Sequence, residues 1–572
     1  MRPITQLFGI LFWATGFFGI YALLQFAEAE ALDARDLPAK VDAIFQKWNR
    51  ADAPGCALGV EHDAGPRFFR AYGSADLEHG AAIDPDTVFE AGSVSKQFTA
   101  ASALMLVEHG RLGLDDDVHK YIPELPDYGT TITIAQLLGH TSGLREWEGV
   151  AEFAGSPRTT RVYTQRDVLE MTARQKSLNF RPGTEYSYSN TGYILLAIIV
   201  ERVSGESLAM FSRDQLFEPL GLVHTRWRDD FRAIVKGRAV AYDVDSNGYH
   251  QFMPFENVIG SGGLLTTAGD LLRWNDALDA GRLGRFVTAE LQRESMLADG
   301  RTIPYARGLK ISTDHGFREI WHNGETAGYQ AFLARYPDQH LSIALLCNAG
   351  EETDATSLGG KVVDLLLPAP GAQPPASPAG ATSPSGQLGP YAGTYFSVRT
   401  AVQMRLEAKD GGLQRVSNGD TFTAIAPRIF KDLDSTITFT GHDRFVRDFV
   451  DGRRSQFQRV RTWHPGPEAL SSLAGRYRSE EVLATYDVSA VDGRLVIAQD
   501  DRRWDAVTLD VLSIDTFSTP HALYWFVRNA NGKVVSLEVS NLAVYDLSFR
   551  RVICDRQSAS FGVGAAPRRS HR

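Results

Sequence analysis

Between Leu367 and Pro390 the sequence reads LPAPGAQPPASPAGATSPSGQLGP, rich in Pro, Ala, Gly and Ser and without one charged residue. Such a stretch is extended and offers no apolar face to a core, so it is a linker over 368–389. It divides a chain of 572 residues that is too long for one core in any case. Upstream, TGYILLAIIVERVSG and GDLLRWNDALDAGRLG read as helices, while YQAFLARYP and LSIALLCNAG read as strands, which makes residues 32–367 an α+β domain. Downstream, helical periodicity gives way to short alternating runs with D-G or N-G turns, the pattern of hairpins. YAGTYF from Tyr391 and LAGRYR from Leu473 share their offset with KDGGL from Lys409 and VDGRL from Val491, and FVRDFVDGR from Phe445 returns as FVRNANGK from Phe526. The expectation is two tandem antiparallel β-barrels over 390–462 and 469–556, joined at WHPGPE from Trp463 and followed by a flexible tail over 557–572.

The N-terminal 31 residues differ from all of this. After Arg2 no charge occurs until Glu28, and the apolar run ends at A-x-A-like sites near Ala27, Ala29 and Ala31. This is the pattern of an export signal. At about twenty residues the run is also long enough to span a bilayer, so both a cleaved signal and a membrane tether fit it. The expected location is outside the cytoplasm, periplasmic or secreted. A formal charge of −10 and no long basic run make nucleic acid an unsuitable partner. Three widely spaced cysteines, Cys56, Cys347 and Cys554, make neither a disulfide framework nor a metal site and leave room for one bridge.

Chemistry concentrates at three places. In FEAGSVSKQFTAASALMLVEHG, Ser93 lies at the start of a helix whose apolar face carries Ala101, Leu104, Met105 and Val107. Residues i and i+3 share a helix face, so Lys96 reaches the Ser93 hydroxyl, and this is the one S-x-x-K of the chain. A Ser needs a base to become a nucleophile, and an amine desolvated against an apolar helix has its pKa lowered toward that task. The unpaired N–H groups of a first helical turn favour developing negative charge. In FRPGTEYSYSNTGY, Tyr188 and Asn190 fall on a loop at a helix entrance, and in REIWHNGETAGYQAFLARYP, His322 and Gly324 fall at the edge of a strand where Gly allows close approach of a substrate backbone.

S-x-x-K, Y-x-N and H-x-G in this order resemble the serine β-lactamase and penicillin-binding-protein superfamily, in particular its branch of class C β-lactamases, D-alanyl-D-alanine carboxypeptidases, D-aminopeptidases and esterases. LLGHTSGL from Leu137 and GSGGLLTTAGDLLRW from Gly260, read as scaffold, extend the resemblance over about residues 40–365. It implies an antiparallel sheet with a helical subdomain, followed by lipocalin-like barrels. It also implies Ser93 as the acylated nucleophile, Lys96 as its base, Tyr188 as the proton shuttle and Asn190 as the holder of the substrate amide. His322 stands where class C β-lactamases have the Lys of K-T-G, and the N–H groups of Ser93 and Glu325 form the oxyanion hole. The absence of G-x-S-x-G and H-E-x-x-H argues against an α/β-hydrolase and a zincin, so neither metal nor cofactor is expected.

The implied function is an exported serine hydrolase of small peptides, amides or esters. A D-aminopeptidase is favoured because an unperturbed His is mostly neutral at pH 7 and because a barrel loop in those enzymes reaches the site and favours free amines. Carboxypeptidase, β-lactamase and esterase are alternatives within the superfamily, and a silent wall-binding or penicillin-sensing protein is the alternative outside enzymes. Ser93→Ala is expected to abolish turnover and covalent labelling by a fluorophosphonate, read by intact mass. Labelling at Ser95 or Ser142 would overturn the assignment.

Overall fold

The computed structural model describes residues 36–367 and 388–552, apart from 64, 159, 401, 410, 411, 462 and 500–505. The apolar N-terminal segment, nearly all of the linker and the tail lie outside the described residues.

The upstream domain is built on a six-stranded antiparallel sheet. Its strands are β1 (Cys56–His62), β2 (Phe68–Tyr72), β3 (Lys310–Asp314), β4 (Phe317–Thr326), β5 (Tyr329–Tyr336) and β6 (Leu341–Cys347), in the order β3-β4-β5-β6-β1-β2. Side chains alternate between two apolar layers, as a period of two requires. Ala331, Leu333, Ala344 and Leu346 join the larger core, whereas Phe332, Ala334, Ile343 and Leu345 join a smaller one. Helices α1 (Leu37–Ile44) and α5 (Ala355–Leu366) cover the second layer through Val41, Leu358 and Val362. On the other face lie α2 (Lys96–Glu108), α3 (Asn190–Ser204) and α4 (Ala268–Asp279). Cys56 pairs with Cys347 across β1 and β6, and the two form a disulfide that joins residues 291 apart in sequence.

Helix α2 departs from the amphipathic reading. Every residue from Lys96 to Leu104 is buried, because α2 is a central helix enclosed by α3, by the helices Leu208–Ser212 and Arg285–Leu291 and by Trp274 of α4 against Phe98, rather than a surface helix with one apolar stripe.

Downstream stand two closed eight-stranded antiparallel barrels, with strands running from Gly393 to Arg459 and from Gly475 to Arg551. The repeat extends to side chains. Tyr395 donates to Tyr391 O under the guanidinium of Arg459, and Tyr477 donates to Leu473 O under that of Arg551.

The linker reading implied barrels discontinuous with the α+β core, and the structure corrects this. Tyr486, Leu537 and Phe549 of the second barrel belong to the same apolar cluster as α2 and α3, and the Tyr486 hydroxyl donates to Phe153 O. Arg145, fully buried, bonds Glu481 at 2.7 Å, Gln175 at 3.0 Å, Ser177 at 2.9 Å and the carbonyls of Tyr545 and Asp546. A linker sets how two units are connected along the chain and says nothing of the surface they bury. Because removing one member of a buried pair strands the other, Glu481→Ala is expected to cost roughly 3–5 kcal/mol. Urea unfolding checks this; a loss under about 1 kcal/mol would show that the pair does not seat the barrel.

Candidate functional site

Ser93 sits in a 3₁₀ turn, Gly92–Ser95, that leads into α2, so Lys96 opens the α-helix proper. Gly92 has φ +50°, and a Cβ on it would lie 2.5 Å from the Glu325 nitrogen; a Cβ on Gly324 would lie 2.0 Å from Ala91 O and 3.0 Å from the Ser93 nitrogen. The two glycines therefore let the turn close onto β4 and bring the backbone nitrogens of Ser93 and Glu325 to one place. Gly324 lies inside a ten-residue strand, and the approach it permits is that of its own chain.

The Lys96 amine is 3.0 Å from Ser93 Oγ, 2.8 Å from Asn190 Oδ1 and 2.7 Å from Ser261 O. The last two groups only accept, so they take both N–H bonds of a neutral amine and leave its lone pair for the Ser93 hydroxyl. Burial supplies the neutral form: it brings the Lys96 pKa down to about 7, against opposing pulls from Glu146 and Glu148. The Tyr188 hydroxyl bonds Ser93, and burial pushes its pKa well up, so it rests as a phenol. Its ring lies 4.7 Å from the Lys96 nitrogen and 4.3 Å from the ring of His140.

Local sequence explains these placements. Ser189 caps α3 by accepting from Gly192 N, which makes Asn190 the first helical residue and leaves Tyr188 on the loop before it. LLGHTSGL, read as scaffold, holds that loop: His140 Nδ1 accepts from Ser189 N, and His140 O accepts from Ser187 N. GSGGLLTTAGD contributes directly as well, through Ser261 O on the amine.

His322 is held neutral more firmly than an unperturbed His. It is 1% exposed, Nδ1 donates to Asn323 O at 2.5 Å, and Nε2 accepts from Tyr305 at 3.2 Å. Burial, aided by Lys310 and Lys96, pushes its pKa well below the ordinary value, so it does not gain charge near pH 6.5.

The Ser93 cavity measures about 610 Å³, and Tyr186, Tyr305, Lys310, Asp451 and Arg453 line it together with the expected residues. Asp451 and Arg453 come from a hairpin turn of the first barrel, at Gly452, where a Cβ would lie 2.1 Å from Ile303 Cγ2. Arg399 of the same barrel bonds Glu185 at 2.7 Å, just before the Tyr188 loop. Glu146 was also missed. Its Oε2 accepts from Asn190 N at 2.5 Å and Thr191 N at 3.3 Å, while Oε1 is buried without a partner among the described residues. Burial and the neighbouring Glu148 raise the Glu146 pKa to about 7. Among the described residues no cluster of His, Cys, Asp or Glu could hold a metal ion.

A model of the beta-lactamase family matches residues 41–366. The chain belongs to that family. A penicillin-binding protein of Bacillus subtilis (strain 168) is 30% identical to this beta-lactamase-family chain over half of its length and 66% of the relative's own. A D-aminopeptidase of Brucella ovis is 26% identical over 79% of the chain and 84% of the relative, a span that takes in barrel sequence. In fold, the beta-lactamase-family chain is similar to an octameric penicillin-binding protein homologue from Pyrococcus abyssi (TM-score 0.53, 19% identity, 82% of this chain and 98% of that one). It is also similar to a D-amino acid amidase from Ochrobactrum anthropi SV3 (TM-score 0.51, 20% identity, 58% of this chain and 98% of that one). The protein is a hydrolytic enzyme of the serine type.

With Lys96 acting as the neutral base, kcat/KM should fall as pH drops through about 7, where the amine takes up its proton. Because Glu146 favours the charged amine, Glu146→Gln should move that limb to lower pH. A limb unmoved in Glu146→Gln would separate the two groups. Lys96→Ala should cost about 10²- to 10⁴-fold in turnover.

Proposed function

We propose that the enzyme removes single D-amino acids from the amino end of short peptides and amides, in the manner of a D-aminopeptidase. The observation that carries this reading is the barrel turn at Asp451–Arg453, which walls the Ser93 cavity and so limits the length of what enters. Similarity to the Brucella D-aminopeptidase beyond the family domain supports it. A second cavity of about 620 Å³ is lined by Glu146, Glu148 and Glu152 together with Arg158, which pairs with Glu148 at 3.1 Å, and the excess of acids over this one arginine is compatible with a free ammonium group. Neutral His322 offers no fixed charge of its own to a substrate.

In the acylation step the Ser93 proton passes to the Lys96 lone pair as Oγ bonds the carbonyl carbon. The carbonyl oxygen takes the electron pair, facing the Ser93 and Glu325 N–H groups. The C–N bond then breaks, and Tyr188 gives its proton to the leaving nitrogen and is reprotonated from Lys96. In deacylation, water attacks the ester carbon as its proton passes to the neutral Lys96 amine, and Ser93 leaves with that proton returned to it. Asn190 holds the amine and faces the acyl side. The apolar run before Glu28 supports an exported enzyme, in the periplasm, secreted or tethered by that segment.

The test compares D-alanine p-nitroanilide with its N-acetyl derivative, the L-enantiomer, nitrocefin and a short p-nitrophenyl ester. The free-amine D-substrate is expected to exceed its N-acetylated form by at least about tenfold in kcat/KM. Equal rates for the two, or nitrocefin as the best substrate, would overturn the aminopeptidase reading.

A further inference from the structure

We propose that Arg399 of the first barrel is a positioning residue for Tyr188, holding it through Glu185 while Tyr545 of the second barrel holds the same loop through Ser187. This rests on the mechanism above, in which Tyr188 protonates the leaving nitrogen.

Between Gly183 and the start of α3 at Asn190 the chain is neither helix nor strand, so no helical or sheet ladder fixes Tyr188. Ser187 N donates to His140 O and Ser189 N to His140 Nδ1, which anchors the main chain. The side chains of TEYSYSN then alternate. Tyr186 and Tyr188 line the Ser93 cavity, whereas Glu185 and Ser187 meet the barrels. That is the period of two of an extended run, in which residues two apart share a face. A loop displaced at its barrel face therefore carries the Tyr188 ring with it.

Arg399 follows the strand Gly393–Ser397, and the Ser397 hydroxyl accepts from the Arg399 and Thr400 nitrogens at 3.4 and 3.2 Å. Its Nη1 group donates to both Glu185 oxygens, at 3.0 and 2.7 Å. The same guanidinium lies 5.5 Å from the centre of the Tyr545 ring. The Ser187 hydroxyl bonds the Tyr545 phenol, which donates to Leu542 O at 3.4 Å, and Tyr545 N donates to Asn179 Oδ1 at 2.8 Å. An exposed ion pair alone orders little. Here the Arg399 and Glu185 side chains are only 26% and 15% exposed, and the ring behind the guanidinium grips the residue two further on. Both barrels thus close on one loop, from the face that Tyr186 and Tyr188 do not use.

The Tyr188 proton matters most when the leaving group is poor. An amide nitrogen has to be protonated as the C–N bond breaks, whereas p-nitrophenolate and fluoride leave as anions. A displaced Tyr188 therefore slows amides selectively.

The experiment compares D-alanine amide with D-alanine p-nitrophenyl ester in the full-length enzyme, reading kcat/KM, and follows the rate of fluorophosphonate labelling of Ser93 by intact mass. Arg399→Met should slow the amide by about ten- to a hundredfold and change the ester and the labelling by less than about threefold. Arg399→Lys should recover part of the loss and Glu185→Gln should match Arg399→Met. The double variant should be no slower on the amide than either single one, because both act through one contact. Tyr188→Phe should show the same selectivity more strongly. An equal fall for amide, ester and labelling in Arg399→Met, or an unchanged amide rate, would overturn the positioning role. If Tyr188→Phe does not separate amide from ester, Tyr188 is not the proton donor and the inference falls with that reading; if it does and Arg399→Met does not, the positioning role alone fails. Where the free amine gives no advantage, the same pair built on N-acetyl-D-alanine carries the test, so failure of the aminopeptidase reading leaves it intact.

Discussion

The site depends on keeping the Lys96 amine uncharged inside the protein. A buried ammonium is costly, and the first turns of α2 are enclosed, so the helix that follows the Ser93 turn also removes water from the amine at its first residue. What remains of the hydrogen-bonding capacity of the amine is directed by two fixed oxygens, Asn190 Oδ1 and Ser261 O. These come from elements far apart in sequence. The lone pair then has one direction left, toward Ser93. The acids nearby oppose this, since Glu146 and Glu148 favour the charged amine, and the balance puts the base near neutrality instead of far below it.

Two close backbone approaches complete the arrangement. Gly92 and Gly324 permit the Ser93 turn to sit on the strand, so the Ser93 and Glu325 nitrogens are fixed by the main chain and, as the oxyanion donors of the proposed reaction, need no side-chain ordering. The barrels act from outside. One turn of the first barrel enters the cavity, Arg399 grips the segment before Tyr186, and the second barrel shares the core beneath α3.

Much of this was legible in the sequence, for identifiable reasons. Ser93, Lys96, Tyr188, Asn190 and His322 stand in short motifs, and the structure brings all five together with the Glu325 nitrogen. The barrel repeat was visible because its Gly and Tyr positions recur in register. Properties that depend on surroundings were hidden. The neutrality of His322 comes from burial and from Lys310, which no motif marks. A signal existed, because the alternating run LKIST before a D-H-G turn places Lys310 across from Trp321, one residue before His322. Glu146 was equally unmarked, for REWEG reads as an ordinary polar start to a helix. The enclosure of α2 was missed because its own composition is only modestly apolar and its neighbours do the burying.

Arg145 and Glu146 are consecutive, yet they serve different masters. The first is the socket of the second barrel, and the second holds the backbone of Asn190 and faces the base. A single peptide bond thus makes the accessory module and the chemistry mechanically inseparable. For evolution this means that the barrel is not an interchangeable attachment: a lineage that lost or replaced it would leave a buried guanidinium without its carboxylate one residue from the group that faces Lys96.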